Sequence, residues 1–317
     1  MAILSCSRRT DIPCYYSEWF YNRLRERYFM VRNPMNPKQI TRCEFKNSDI
    51  DCIVFWTKNP KPMIGRIKEL TGYNYYFQYT LNGYGTEIEK HIPSKRHCIE
   101  TFKELYEKGN GHIIWRYDPI IFTKKYTPEF HLNNFESIAK ELKGYTSKCV
   151  ISFVDRTSCN ADFLNSIGEY QLAKPALDKF CKSLSGIAKN YGIRLTACAE
   201  KADLAKWDIE KAKCIDDEYI ERLIGFPVHN NKATGQRELC NCIASVEMGA
   251  YSTCANGCGY CYASKGKTAL DFNLKRYDPK SPMLCDKVIG YEKVSVKRLK
   301  TVVDYKSFEC RNQLSFF

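Results

Sequence analysis

The sequence predicts an α/β protein whose main body is a partial (βα)6 TIM-like barrel. Over residues 1–200, short apolar runs alternate with amphipathic helical patterns, which favours a parallel sheet with helical crossovers. Most of these runs are apolar throughout, as expected for strands covered on both faces. Six such units are too few for a closed eight-stranded barrel, although a doubly wound sheet fits the same periodicity. The predicted strands are Ala2–Cys6, Cys52–Trp56, Tyr75–Thr80, His112–Trp115, Cys149–Val154 and Arg194–Cys198.

The predicted helices between these strands carry the usual boundary residues. Ser17 can cap a first helix whose apolar stripe runs from Phe20 to Tyr28. Ser94 can cap a second helix, and Thr127 followed by a proline opens a third. Glycines mark the predicted helix ends because glycine readily takes the left-handed conformation there. These glycines are Gly109, Gly144 and Gly192.

The character of the chain changes near Cys214. Asp216 can cap one more short helix, and loop-rich, cysteine-containing segments follow it. We therefore predict two parts: the barrel over residues 1–213, and over residues 214–317 a C-terminal iron–sulfur cluster-binding extension that packs on the barrel mouth. The extension brings cysteines to the mouth and has no core of its own.

The cysteine content indicates metal binding in a reducing compartment. Seventeen cysteines are unusual for a cytoplasmic protein, where disulfides are disfavoured. The first residues do not resemble a secretory signal, and no apolar run reaches the length of a membrane span. We therefore expect a cytoplasmic protein without a membrane partner, in an oxygen-poor cell where iron–sulfur clusters survive.

The formal net charge of +13 permits nucleic-acid binding but does not indicate it strongly. Lysine and arginine are distributed along helical patterns and are not gathered in one run. A solvated basic surface and a small-molecule substrate are therefore favoured over a nucleic-acid partner.

The most specific motif is a short loop that carries Cys254, Cys258 and Cys261, with Tyr260 before the last cysteine. Three thiolates at this spacing can hold three irons of a 4Fe–4S cluster and leave the fourth iron open. The loop resembles the cluster loop of radical S-adenosylmethionine (SAM) enzymes. Part of a structural zinc site is the alternative.

A second cysteine group is predicted from the Cys240-Asn241-Cys242 pair, which needs two further ligands. Cys198, at the end of the last predicted strand, and Cys214 lie on the same predicted rim. These four thiols could hold an auxiliary 4Fe–4S cluster, which we favour, or a zinc ion, or they could remain unliganded.

Each predicted strand changes from apolar to polar or charged residues at its carboxyl end. In a βα series these ends meet on one side of the sheet, where ligands usually bind. Arginine and lysine side chains there could bind a carboxylate such as that of SAM, and carboxylates could bind its amino group or ribose. For any one of them a structural ion pair is the alternative. The candidate cofactor-binding residues are Arg8, Arg9, Asp11, Lys58, Asn59, Arg116 and Glu200.

Three further residues at these ends are candidate catalytic groups. Tyr79 and Tyr117 could relay a proton or a hydrogen atom, and Asp118 could contact the ligand.

Together these motifs resemble the bacterial family known as domain of unknown function 1848. That family's cysteine-rich C-terminus is described as similar to the radical SAM cluster loop, so the resemblance implies an architecture and a cofactor but no substrate. In ordinary radical SAM enzymes the loop follows the first strand, whereas here it follows the last. Thr57-Lys58-Asn59-Pro60 also stands where those enzymes usually have a Gly-Gly-Glu segment. The resemblance rests on residues 7–13, 55–60, 115–119, 198–200 and 235–263.

The leading hypothesis is a radical SAM-type enzyme that reductively cleaves S-adenosylmethionine to start radical chemistry on an unknown substrate. It would use an open-site 4Fe–4S cluster, a second auxiliary cluster and an electron donor such as ferredoxin or flavodoxin. The alternative is an iron–sulfur redox protein or reductase that does not use SAM. A zinc-stabilised nucleic-acid-binding protein is the third reading.

Overall fold

The computed structural model describes residues 2–228 and 231–303, which form an α/β fold around a parallel sheet. Every neighbouring pair of strands in this sheet is parallel. In spatial order the eight strands are β10 (Val246–Glu247), β1 (Ile3–Cys6), β4 (Cys52–Thr57), β5 (Tyr75–Thr80), β6 (Ile113–Ile120), β7 (Lys148–Phe153), β8 (Arg194–Ala197) and β9 (Glu210–Lys211).

A second, three-stranded sheet lies outside the main one. Strands β2 (Tyr28–Arg32) and β3 (Gln39–Glu44) form an antiparallel pair, and β11 (Lys293–Arg298) adds to β3 in parallel. The sequence patterns do not predict this sheet, and the prediction that the first helix continues to Tyr28 is wrong. Arg27 has a left-handed backbone (φ 59°) that ends the helix, and the following Tyr-Phe-Met-Val run suits a strand.

Two of the predicted serine or threonine caps are confirmed, and one is not. The side chains of Ser94 and Thr127 accept hydrogen bonds from backbone N–H groups in the first turns of their helices. Ser17 is instead the first residue of its helix and makes no capping bond. Asp216 caps its helix as predicted. The helices are α1 (Ile12–Tyr15), α2 (Ser17–Glu26), α3 (Lys61–Ile64), α4 (Lys95–Lys108), α5 (Pro128–Leu142), α6 (Ala161–Ser166), α7 (Lys174–Asn190), α8 (Asp217–Ile224) and α9 (Lys267–Leu274).

Short 3₁₀ turns occur at Asn47–Asp49, Ile67–Leu70 and Ala205–Trp207. No helix in the described part of the chain is both long enough and apolar enough to cross a membrane.

The main sheet buries its two faces against different partners. On one face, strand residues such as Phe55 and Phe77 share a core with residues of the longer helices α2, α4, α5 and α7. On the other face, residues such as Val54 and Tyr76 pack against the segment that follows β8, including Ile215 and Ile220. The C-terminal part of the chain therefore crosses the face that the longer helices leave open.

The α/β class and the parallel sheet are thus confirmed, and the six predicted strands correspond to β1, β4, β5, β6, β7 and β8. The predicted extension also supplies β10 to the main sheet and β11 to the small one. Residues 229–230 and 304–317 of that extension lie outside the described residues.

Candidate functional site

The carboxyl ends of the parallel strands open into a cavity of about 570 Å³. Ligands of parallel α/β folds usually bind at this edge of the sheet. Six candidate cofactor or catalytic residues line the cavity: Arg8, Arg9, Asp11, Lys58, Arg116 and Asp118. All seven cysteines proposed as metal ligands also line it, and these are Cys198, Cys214, Cys240, Cys242, Cys254, Cys258 and Cys261.

Four of these residues, Cys198, Cys214, Cys240 and Cys242, form what we call the four-cysteine group. The Sγ atoms of Cys198 and Cys214 lie 3.5 Å apart. The Sγ atom of Cys242 accepts the backbone N–H groups of Cys214 at 3.3 Å and Ile215 at 3.4 Å. The fold thus brings together thiols that are far apart in the sequence.

Two of these thiols have a lowered pKa. Hydrogen bonds with Cys198 and Cys242 hold the pKa of Cys214 well below its ordinary value, and the nearby guanidinium groups act in the same direction. A hydrogen bond with Cys242 lowers the pKa of Cys240 to about 6. The same contacts and burial raise the pKa values of Cys198 and Cys242, so the protein alone favours the thiolate, the metal-binding form, at two of the four positions.

The main sheet fixes the position of Cys214. Its carbonyl oxygen accepts the Tyr76 hydroxyl at 2.7 Å and the Gln78 amide at 2.8 Å, both from β5. Beside it, the Lys148 ammonium and the Asp216 carboxylate form a buried ion pair at 2.8 Å. Side chains of β5 and β7 therefore hold the segment that carries Cys214 and Asp216.

The remaining three cysteines lie on residues 254–261, the three-cysteine loop. The segment between β5 and α4 holds this loop, because Gly259 donates its N–H to the Ile88 carbonyl at 2.9 Å and His91 donates to the Asn256 carbonyl at 3.0 Å. Gly259 also packs closely, since a Cβ atom there would lie 2.3 Å from the Phe163 ring. Any larger residue at this position would displace the loop or the ring.

A buried polar cluster lies beneath the loop. The Lys58 ammonium lies 2.7 Å from the Glu89 carboxylate, which also accepts the Tyr260 hydroxyl and, at 3.1 Å, the Asn82 amide. The aromatic residue before Cys261 thus serves to anchor the loop. Glu89 carried no sequence signal because it lies in an irregular connection.

Burial raises the pKa of each thiol on the three-cysteine loop, that of Cys254 to about 12. A bound cation would reverse this preference by stabilising the thiolates. Among the residues that the structure describes, no three His, Cys, Asp or Glu side chains stand in a metal-binding arrangement. The donor set itself consists of thiols, which select zinc, copper(I) or iron–sulfur clusters.

Two predicted carboxylates at the cavity are fully engaged by the protein. Asp11 accepts the backbone N–H of Lys58 at 2.7 Å and the Asn256 amide at 3.1 Å, so it ties the ends of β1 and β4 to the loop. Asp118 accepts the Arg116 guanidinium and the Ser152 hydroxyl. Both carboxylates therefore hold neighbouring segments of the cavity wall together through hydrogen bonds.

Comparison with known families adds one result. The family model DUF1848, described as a domain of unknown function, matches residues 3–263. The chain belongs to this family. The match spans both cysteine groups and confirms the family resemblance seen in the sequence.

Other comparisons add little. No curated protein matches the chain. A crystal structure of a putative alpha-L-fucosidase from Bacteroides thetaiotaomicron matches with 12% identity over 64% of this chain and 76% of that one. Its TM-score is only 0.26.

Four of the candidate site residues of this DUF1848 chain lie outside the cavity lining. Tyr79 and Tyr117 point to the helical face of the sheet, where Tyr79 donates to the Cys98 carbonyl at 3.0 Å and the Tyr117 hydroxyl lies 2.8 Å from His131 Nδ1. Successive side chains of a strand alternate between its faces, and both tyrosines are neighbours of cavity-facing residues.

Asn59 and Glu200 have local roles. The Asn59 side chain accepts the Lys61 N–H at 3.3 Å, at the start of α3. Glu200 accepts the Phe153 N–H at 2.9 Å, and burial raises its pKa to about 7.

Two cavity residues were missed by the sequence analysis. Glu247 on β10 accepts the Ser5 hydroxyl at 2.8 Å and the backbone N–H of Arg8 at 3.3 Å. Arg237 donates from Nη2 to the Sγ atom of Cys198 at 3.3 Å. The position of Arg237, three residues before Cys240, was the signal that could have indicated its role.

Proposed function

We propose that this DUF1848 protein is a radical SAM-type iron–sulfur enzyme that acts on a small molecule. In this proposal the three-cysteine loop holds a 4Fe–4S cluster with one open iron, and the four-cysteine group holds a second cluster. The observation that carries it is the convergence of all seven cysteines on one cavity at the carboxyl edge of a parallel sheet.

The donor set fits this assignment. Three thiols on one tight loop leave a coordination position for a small molecule, whereas four thiols complete a site. Neither group includes a histidine or carboxylate ligand, as expected for iron–sulfur ligation. A cavity of about 570 Å³ also falls within the usual range for small-molecule sites.

The fold supports a barrel-like architecture within the α/β class. The four longer helices α2, α4, α5 and α7 contribute to a core on one face, and in the described part of the chain the other face has only the short helix α8. The other face is covered by the chain after β8, as expected if that face lines the inside of a partial (βα)6 barrel closed by the C-terminal extension. The cluster loop would then belong to a late segment that closes over the barrel mouth.

When bound, an open-site cluster reduced by a ferredoxin- or flavodoxin-type donor supplies the electron that cleaves S-adenosylmethionine and starts radical chemistry. The protein's part is to bind and orient the ligands and to exclude water. Lys58 and Arg116 already pair with Glu89 and Asp118, so they balance charge in the wall.

Arg9 and Thr10 are better placed to bind a ligand carboxylate. Arg9 pairs with no carboxylate among the described residues, and its guanidinium lies 4.8 Å from the centroid of the Tyr251 ring. The Thr10 hydroxyl is buried without a hydrogen-bond partner in the described part of the chain, and it belongs to the same cavity wall. A bound carboxylate would satisfy both groups.

The test is anaerobic reconstitution followed by iron and sulfide counting, then addition of SAM and dithionite. We expect about eight irons per chain and formation of 5′-deoxyadenosine. Cys258→Ala should retain about four irons and form no product, whereas Cys181→Ala, a buried thiol of α7, should behave like the parent protein. Unchanged iron content and product formation in Cys258→Ala would contradict the proposal.

An iron–sulfur redox protein that does not use SAM is the second candidate. It is favoured by the Thr57–Pro60 segment, which stands in place of the usual Gly-Gly-Glu sequence and in which Lys58 is paired with Glu89. In that case reconstitution would give the same iron count without 5′-deoxyadenosine.

A further inference from the structure

Three arginines from separate segments surround the four-cysteine group. Arg116 on β6 donates from Nη1 to the Sγ atom of Cys214 at 3.0 Å, and Arg237 donates from Nη2 to that of Cys198 at 3.3 Å. Arg8, just after β1, lies close enough to interact electrostatically with the thiols of Cys214, Cys240 and Cys242. We call Arg8, Arg116 and Arg237 the arginine cradle.

The cradle is only partly neutralised by the protein. Arg116 pairs with Asp118, and Arg237 pairs with Asp155. Arg8 forms no direct ion pair among the described residues, although the Glu247 carboxylate interacts with it electrostatically and its guanidinium lies 5.2 Å from the centroid of the Trp56 ring; its Nη2 atom is buried without a hydrogen bond there. A buried N–H group without an acceptor is unfavourable, so this position suits an anionic acceptor on the cysteine side.

The three-cysteine loop has a different electrostatic environment. Lys58 is the cation that interacts with Cys258, and its ammonium lies 2.7 Å from Glu89. The side chains of this ion pair are 13% and 5% exposed, so it is buried and internally balanced. Three cations therefore face the four-cysteine group, whereas Lys58 faces the loop together with the carboxylates of Glu89 and Asp11.

We propose that the arginine cradle makes the four-cysteine group the site of higher reduction potential, so that an electron delivered to the protein settles there. The inference rests on the proposed function, in which both groups hold 4Fe–4S clusters. One-electron reduction breaks no bond and adds one negative charge to the cluster. Permanent cations and N–H···S hydrogen bonds stabilise the reduced state more than the oxidised one.

The test is a redox titration monitored by electron paramagnetic resonance, with dithionite as reductant, in a Cys258→Ala background that retains the four-cysteine cluster alone. Arg237→Gln should make reduction about tenfold less favourable, which is ~59 mV in midpoint potential for a one-electron couple. Arg237→Lys keeps the positive charge, so its midpoint potential should fall by less than that of Arg237→Gln. Arg8→Gln is a second variant, expected to lower the potential in the same direction.

Arg194→Gln is the matched control. It removes the same charge at the other end of β8, where Arg194 lies 3.7 Å from Glu210 and is half exposed, and it should leave the potential unchanged. The loop cluster, titrated alone in Cys214→Ala protein, should have the lower potential.

The outcomes separate the inference from the proposed function. If Cys258→Ala protein retains its cluster and neither Arg237→Gln nor Arg8→Gln shifts its midpoint potential, the inference is wrong. The proposed function with two clusters is then unaffected. A reversed order of the two potentials also overturns it. If Cys258→Ala protein binds no iron, the second cluster of the proposed function fails, and the inference fails with it.

Discussion

The two cysteine groups reach the same cavity with different kinds of support. The main sheet positions the four-cysteine group, because Tyr76 and Gln78 of β5 donate hydrogen bonds to the Cys214 carbonyl. The irregular segment between β5 and α4 holds the three-cysteine loop through Glu89 and neighbouring backbone groups, and Asp11, after β1, accepts a further hydrogen bond from Asn256. One group thus depends on the sheet and the other on a buried polar cluster.

Their charge environments differ in the same way. Sulfur contacts and guanidinium groups lower the pKa of Cys214, whereas burial raises the pKa of every thiol on the loop. The comparison teaches that two thiols of the four-cysteine group, Cys214 and Cys240, favour the charged form before any ligand binds, while the loop thiols depend on a ligand for it.

Cys214→Ala should have the largest effect, and it tests whether the two cysteine groups bind their clusters independently. It should remove about four irons per chain and leave 5′-deoxyadenosine formation detectable, because the loop does not rely on the sheet-bound cysteines. Iron analysis and product assay of the same reconstituted sample measure both results. Loss of all iron would show that the two groups assemble together.

Glu89→Gln should weaken the three-cysteine loop selectively. The change leaves the Lys58 ammonium buried without a charged partner, which lowers the free energy of unfolding by about 3–5 kcal/mol. Urea denaturation measures it. Glu100→Gln removes an exposed pair with Arg96 and should change stability by less than about 1 kcal/mol; equal losses in the two variants would rule out the anchoring role.

Gly259→Ala tests how closely the loop packs. The added methyl group would meet the Phe163 ring, so we expect a loss of about 1–3 kcal/mol and a lower iron content of the loop. Gly186→Ala, in α7, meets no neighbouring atom and should be neutral or stabilising by up to about 1 kcal/mol. If Gly259→Ala is also neutral, the loop has more room than the structure indicates.

The smallest expected effect concerns Glu200, two residues after Cys198. Burial raises its folded-state pKa to about 7, above the unfolded value of about 4.3, so stability falls as pH rises through that window and stays low above it. Glu200→Gln removes the charge and should gain about 1–2 kcal/mol at pH 8 relative to pH 5, since partial exposure limits the effect. Urea denaturation at about pH 5 and 8 measures this difference. A parent protein and variant with the same pH dependence would contradict the burial of this carboxyl.

Local sequence patterns predicted most of the strands and helices correctly, and the errors occur at identifiable residues. The six predicted strands are continuous apolar runs, and their order along the chain required a parallel sheet. The β2–β3 pair was missed because Tyr28 continues the apolar stripe of Phe20 and Leu24, and nothing in the residue type of Arg27 signals a left-handed turn.

The candidate site was predictable to a similar degree. Cysteine spacing and strand ends singled out seven thiols that line the cavity, and strand ends identified most of its charged lining. Tyr79 and Tyr117 were assigned to the cavity from their closeness to strand ends, although alternation along β5 and β6 turns them toward the helices.

By itself, the sequence determined the α/β class, the family and the candidate thiols, because these depend on periodicity and spacing over a few residues. Only the tertiary structure decided that Cys198, Cys214, Cys240 and Cys242 meet, that Glu89 joins Lys58 to Tyr260, and that three arginines face one cysteine group but not the other. Those contacts join segments distant in the chain. Their energies depend on burial and charge in three dimensions, which local sequence patterns do not encode.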